Sequence, residues 1–115
     1  MLVEDDPDVL PIFEDILIDA GHEVDTAGTF RAAAELLASR RYDLVVTDGR
    51  LPDGTGMGVA DDAKARGINS VIVTGYLDGL RDSHPHLDFN NYSVLRKPIS
   101  VGVLQAVVSR MASGQ

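Results

Sequence analysis

Four points on the chain put chemically capable side chains directly after short apolar runs. Asp48 follows Leu44-Val45-Val46-Thr47 and precedes Gly49-Arg50-Leu51-Pro52-Asp53-Gly54. Glu4-Asp5 follows Leu2-Val3, Thr74-Gly75 follows Val71-Ile72-Val73, and Lys97-Pro98 follows Val94-Leu95-Arg96. The apolar runs read as buried strands and the Gly/Pro-rich stretches as loops. In an open parallel sheet the carboxyl edge is where ligands bind, so three carboxylates, a hydroxyl and an ammonium would converge there. Clustered carboxylates raise one another's pKa or recruit a cation. A hard divalent ion is the natural partner, and magnesium typically takes one or two carboxylates together with waters and phosphate oxygens. The lysine would supply positive charge and the threonine a hydrogen bond to a phosphoryl group, which is most of what phosphoryl transfer needs. A carboxylate can itself accept that group as an acyl phosphate. The constellation therefore predicts an aspartate that is phosphorylated with magnesium.

The elements that must hold these residues alternate between strand and helix periodicity. After Leu2-Val3, Asp6-Pro7 predicts a helix start, with Asp6 as N-cap and Pro7 at the first helical position. Val9, Leu10, Phe13, Ile16, Leu17 and Ala20 then recur at helical spacing, and Gly21 ends the helix. Residues Glu23 to Ala27 predict a short strand. Thr29 caps a second helix with Phe30, Ala33, Ala34, Leu37 and Ala38 as its buried stripe and Arg40 and Arg41 in its last turn. A third helix, from about Met57 to Arg66, ends at Gly67 and is weakened by Gly58 and Asp61-Asp62. Ser70 to Thr74 and Val94 to Arg96 are the fourth and fifth strands. A last helix from about Ser100 to Met111 carries Val103, Leu104, Val107, Val108 and Met111 on one face. Alternation of this kind predicts an α/β fold, with parallel strands buried on both sides and helices on both faces.

Composition narrows the function. The 115 residues have room for one domain, 1–115, and a 44% hydrophobic share suffices for its core. With 18 acidic against 10 basic residues the net charge is −8, which repels nucleic acid and anionic membrane. There is no cysteine, which excludes disulfides and thiolate zinc sites. Neither a membrane span nor a signal peptide is visible, so a soluble cytoplasmic domain is expected. The first strand is short and reads as lacking its first residues. Ser113-Gly114-Gln115 reads as a frayed tail.

The chain resembles the receiver domain of two-component response regulators from Leu2 to Ala112. The pieces that carry the resemblance are Val3-Glu4-Asp5-Asp6-Pro7, Asp43-Leu44-Val45-Val46-Thr47-Asp48, Leu51-Pro52-Asp53-Gly54-Thr55-Gly56, Val71-Ile72-Val73-Thr74-Gly75 and Leu95-Arg96-Lys97-Pro98. No single piece is specific, but five in order, each at a strand end, are. The resemblance implies a single doubly wound, five-stranded parallel sheet of flavodoxin type, with strand order 2-1-3-4-5. It implies that Asp48 is the phosphoacceptor. Glu4, Asp5 and Asp48 with the main-chain carbonyl of Arg50 would hold Mg2+, Asp5 directly and Glu4 largely through water. Thr74 matches the switch hydroxyl. Lys97 matches the family's lysine that pairs with phosphoryl oxygen, and Lys97-Pro98 is expected to be a cis peptide. Gly75 would leave the pocket open, while Arg50 and Tyr76 would flank it and tune autodephosphorylation. The partners implied are a sensor histidine kinase or a histidine phosphotransfer protein upstream, and a downstream protein or output domain. Direct nucleic-acid and membrane contacts are not expected.

Each residue alone has a plainer reading: Asp6 a cap, Asp53-Gly54 a turn, Thr74 a strand residue, Lys97 a solvated cation. His22 reads as a surface turn residue and His84-Pro85-His86 as a loop rather than a metal site. Asp53-Gly54-Thr55 echoes the Asp-x-Asp-Gly-Thr motif of haloacid-dehalogenase-like phosphatases, but Leu51 stands where that motif needs its nucleophile. The chain departs from the family between Thr74 and Lys97. Gly79, Pro85 and Asn90-Asn91 predict a fourth helix that is short or missing, at most a turn near Leu77 to Ser83 with an irregular, mobile loop after it. Val94 holds the place of the usual aromatic residue, with Tyr92 two residues earlier. Signalling is therefore expected to bypass the usual threonine–aromatic coupling and to use the first or last helix. Two function classes remain: a phosphoacceptor signalling module that catalyses only its own phosphorylation and dephosphorylation, or a degenerate receiver that binds partners without phosphorylation. A small phosphatase acting on other substrates is a weaker third. The 115 residues leave open a stand-alone regulator, a piece of a hybrid kinase and a piece of a longer regulator.

Overall fold

In the computed structural model, which describes residues 1–75, 93–97 and 101–112, the apolar run ending at Asp48 is the middle strand of a five-stranded parallel sheet. The strands are β1 (Leu2–Val3), β2 (Thr26–Ala27), β3 (Leu44–Asp48), β6 (Asn69–Thr74) and β7 (Val94–Arg96), in the order β2-β1-β3-β6-β7. Counted along this sheet alone, the order is the expected 2-1-3-4-5. Two further strands, β4 (Arg50–Leu51) and β5 (Gly54–Thr55), form a small antiparallel hairpin in the loop after Asp48. The helices are α1 (Leu10–Asp19), α2 (Phe30–Ser39), α3 (Gly56–Ala65) and a last helix, Val101–Ala112.

Side-chain alternation along the strands sorts the helices onto two faces. Val3 and Val45 point to one side, where they pack with Ala33 and Leu37 of α2 and Val59 and Ala63 of α3. Leu2, Leu44, Val46, Val71 and Val73 point to the other, against Leu17 of α1 and Leu104 and Val108 of the last helix. The central strands are buried on both sides, as continuous apolar runs require. β2 pairs over only Thr26–Ala27, shorter than the expected Glu23 to Ala27, because its neighbour β1 offers two residues.

Local signals set the helix ends. Gly21, at φ +92°, and Gly67, at φ +75°, each follow a helix in the left-handed conformation that glycine accepts without strain. Around Gly21 the amides of Gly21 and His22 return to the carbonyls of Ile18 and Leu17; Gly67 and Ile68 do the same to Lys64 and Ala63. Thr29 caps α2, its Oγ1 accepting from the Ala32 amide at 3.0 Å. The start of α1 differs from the expectation. Asp6 does cap a turn, accepting from the Asp8 amide at 2.8 Å through Oδ1 and from the Leu10 amide at 2.9 Å through its carbonyl. Regular helix nevertheless begins at Leu10, because Pro11 has no N–H to bond back to Pro7.

Two stripe assignments also shift. Ala33 and Leu37 centre the stripe of α2, so Ala38 turns about 100° away and is exposed. Leu104 and Val108 centre that of the last helix, which leaves Val103 49% exposed. Arg40 and Arg41 lie just past α2, which ends at Ser39. His22 is partly buried, with its Nε2 enclosed, rather than a surface residue. Among the described residues no helix is long and apolar enough to cross a membrane. The segment 77–91, with His84 and His86, and also Tyr76, Tyr92, Pro98 and Ser113 to Gln115, lie outside the described residues.

Candidate functional site at the carboxyl edge of the sheet

The strand order makes β1, β3, β6 and β7 neighbours, so the residues that leave their carboxyl ends share one edge. Val3 is level with Thr47, and Asp48 with Val73. Glu4 and Asp48 therefore stand side by side. Thr74 is level with Arg96, and the Lys97 amide donates to the Thr74 carbonyl at 2.9 Å. Carboxylate oxygens of Glu4, Asp5 and Asp48 all lie within 4.8 Å of one another. Asp5 is exposed, Asp48 half-buried and Glu4 buried. Arg50 opens β4, and its amide donates to Asp48 Oδ1 at 3.4 Å. Thr74 is buried at the end of β6. The sequence-predicted residues thus gather at one edge.

The Lys97 ammonium bridges the acids, its Nζ 3.5 Å from Glu4 Oε2 and 3.6 Å from Asp48 Oδ2. Glu4 Oε2 is buried and accepts no hydrogen bond. Burial first and the Asp48 charge second push the Glu4 carboxyl up from 4.5 to about 7, with Lys97 opposing them. Three close acids and a buried oxygen without a hydrogen-bond donor make a donor set that fits a hard cation such as magnesium.

The surrounding loop is built around Asp48. A Cβ at Gly56 would run into the Asp48 carbonyl, so only glycine lets α3 begin against the end of β3. Asp53 is more than a turn residue. Its two carboxylate oxygens accept from the amides of Phe30 at 2.7 Å and Arg31 at 3.0 Å, capping α2 from another element. Those amides hold its carboxyl below the usual range. A Cβ at Gly58 would meet the Phe30 ring at 2.7 Å and one at Gly54 would meet it at 3.1 Å, so the weak interior of α3 is space given to that ring.

Sequence reasoning also missed Phe13, whose ring centroid lies 5.6 Å from Lys97 Nζ. Its helical spacing announced only a core residue. Gly56 and Asp53 sat in a visible motif, but their partners on other elements did not show in it. Val94 in β7, at the place of the usual aromatic, packs against Met57, Ala60 and Ile72.

A sequence profile of the response regulator receiver domain matches residues 1–109. The chain belongs to this family. It is 32% identical over 113 residues to the aerobic respiration control sensor protein ArcB of Escherichia coli K12, a match that covers 96% of this chain and 14% of that protein. It is 30% identical over 111 residues to the response regulator protein PilR of Pseudomonas aeruginosa, covering 95% of this chain and 25% of that one. The receiver thus spans only a small part of these relatives. Among solved structures, the receiver domain of a sensor histidine kinase from Pseudomonas aeruginosa PAO1 superimposes with a TM-score of 0.83 at 26% identity, covering 97% of this chain and 94% of that one. That structure holds a magnesium ion coordinated in its active site cleft. A response regulator receiver protein from Sinorhizobium medicae superimposes with a TM-score of 0.82 at 28% identity, covering 97% and 91%.

Proposed function

We propose that residues 1–115 form one cytoplasmic receiver domain that accepts a phosphoryl group on Asp48. The observation that carries this reading is the meeting of Glu4, Asp5 and Asp48 within 4.8 Å, with the Lys97 ammonium 3.6 Å from Asp48. In the forward step an Asp48 carboxylate oxygen attacks phosphorus. The bond from phosphorus to the donor breaks, and its electron pair leaves with the donor, a phosphohistidine of a sensor kinase or phosphotransfer protein. Asp48 becomes an acyl phosphate. Lys97 balances the charge on the phosphoryl oxygens, and the Thr74 hydroxyl donates to one of them. Glu4, Asp5, Asp48 and the main-chain carbonyl of Arg50 would hold magnesium, which when bound neutralises the carboxylates and the phosphoryl oxygens. Water later cleaves the acyl phosphate and restores Asp48. The domain acts on no other substrate, and a downstream protein or output domain reads its changed surface.

Acetyl phosphate with magnesium should add one phosphoryl group, seen by intact mass, and Asp48→Asn should abolish the addition. Equal labelling of wild type and variant would overturn Asp48 as the acceptor. No labelling of wild type would leave a degenerate receiver that works by protein contact alone.

A further inference from the structure

Lys97 has a third partner besides the two carboxylates. Phe13 projects from α1, and its ring centroid is 5.6 Å from the Lys97 Nζ. The ring is partly buried and packs on the cluster that includes Leu2, Leu17, Val46 and Leu104, so packing fixes its place. The Lys97 side chain is 25% exposed, and a flexible four-carbon stem with solvent within reach can leave the site easily. The negative face of an aromatic ring attracts a cation that it touches, more strongly as water is excluded. A leucine would fill the same space without that face.

We infer that Phe13 is a positioning residue that holds the Lys97 ammonium over Glu4 and Asp48. The inference rests on the proposed phosphorylation of Asp48 for its consequence, though not for the contact itself. The ring acts through Lys97: it confines the ammonium to the edge where charge builds up on the transferring phosphoryl group. Without it the ammonium spends part of its time in solvent, and both the uptake of the phosphoryl group and its pairing with Lys97 suffer.

The contact is tested first in the full chain without phosphorylation. The Lys97 ε-methylene protons, identified by their loss in Lys97→Arg, should show an upfield ring-current shift that Phe13→Leu removes. Phosphorylation by acetyl phosphate in magnesium is measured next. Phe13→Leu, and a ring-fluorinated phenylalanine at the same position, should slow labelling about threefold to tenfold, whereas Phe13→Tyr should restore it. Fluorination keeps the shape of the ring and weakens its negative face, so packing alone predicts no effect. A missing ring-current shift, or unchanged labelling with the fluorinated ring while wild type is labelled, overturns the inference. A wild-type chain that takes no phosphoryl group overturns the proposed function instead, and the ε-methylene shift then decides the contact by itself.

Discussion

An acid, a cation and a hydroxyl stand at each end of this sheet, and they are used in opposite ways. At the amino edge Asp25 accepts from the Tyr42 hydroxyl at 2.7 Å and from Arg40 at 3.0 Å. The tyrosine hydrogen bond, with Arg40, holds the Asp25 carboxyl below the usual carboxylate range. Burial, with Asp25 beside it, pushes Tyr42 up to about 12. Within this trio the hydroxyl and the guanidinium both donate to the one carboxylate. At the carboxyl edge one ammonium is shared by two carboxylates at 3.5 and 3.6 Å, and a buried oxygen of Glu4 accepts no hydrogen bond. Burying a charge without full compensation is costly. The difference separates a cluster that only ties elements together from one with unused capacity for a ligand.

The comparison breaks if the carboxyl edge does not respond to a cation. Magnesium at a hundred times its Kd should stabilise the chain by about 2.7 kcal/mol, and Asp5→Ala should remove most of the gain. Thermal melts across a magnesium series check this. Equal melting temperatures with and without the ion would make the acidic edge as inert as the amino edge.

A smaller effect should appear with pH in magnesium-free buffer. Glu4 titrates near 7 in the folded chain against an ordinary 4.5, so between these values the folded chain keeps a proton that the unfolded chain has lost. The stabilisation is fully present below about 4.5, falls as pH rises and is gone above about 7. Urea melts should show wild type losing about 1–3 kcal/mol relative to Glu4→Gln over this window. A wild type that gains stability from pH 5 to 7.5, with Glu4→Gln unchanged, would contradict the burial argument.

The smallest effect belongs to the amino edge. Tyr42→Phe removes one hydrogen bond to Asp25 and should cost about 1 kcal/mol. It should leave the response to magnesium and the labelling of Asp48 as they are. A change in either would mean that the two ends are coupled.

The strands were legible because they are continuous apolar runs with a chemical group at the end of each, whereas their order was legible only through the family resemblance. Glu4, Asp5, Asp48 and Lys97 came together because strand order brings strand ends together. What the sequence hid were contacts between elements. Asp53 caps amides 22 and 23 positions earlier, and nothing in Asp53-Gly54 names that partner. Phe13 obeys the helical spacing of a core residue whether or not a lysine lies over it. Pro11 delayed the start of α1 through a hydrogen bond it cannot make, a local effect masked by the stronger signal of Asp6-Pro7. Ala38 and Val103 sat at the margins of their stripes, where a rotation of about 100° decides between core and water.

The hook between Asp53 and the start of α2 matters to anyone exchanging parts between this domain and a relative. Residues 49–58 and the first turn of α2 form one inherited unit although they are far apart in the chain. A chimera that takes the loop from a parent without a carboxylate at position 53 and α2 from this chain would strand the Phe30 and Arg31 amides without their acceptor. It would also set the Phe30 ring against whatever replaces Gly54 and Gly58. Safe crossover points lie outside this unit, and a library that respects it should keep more folded members than one cut between α2 and β3.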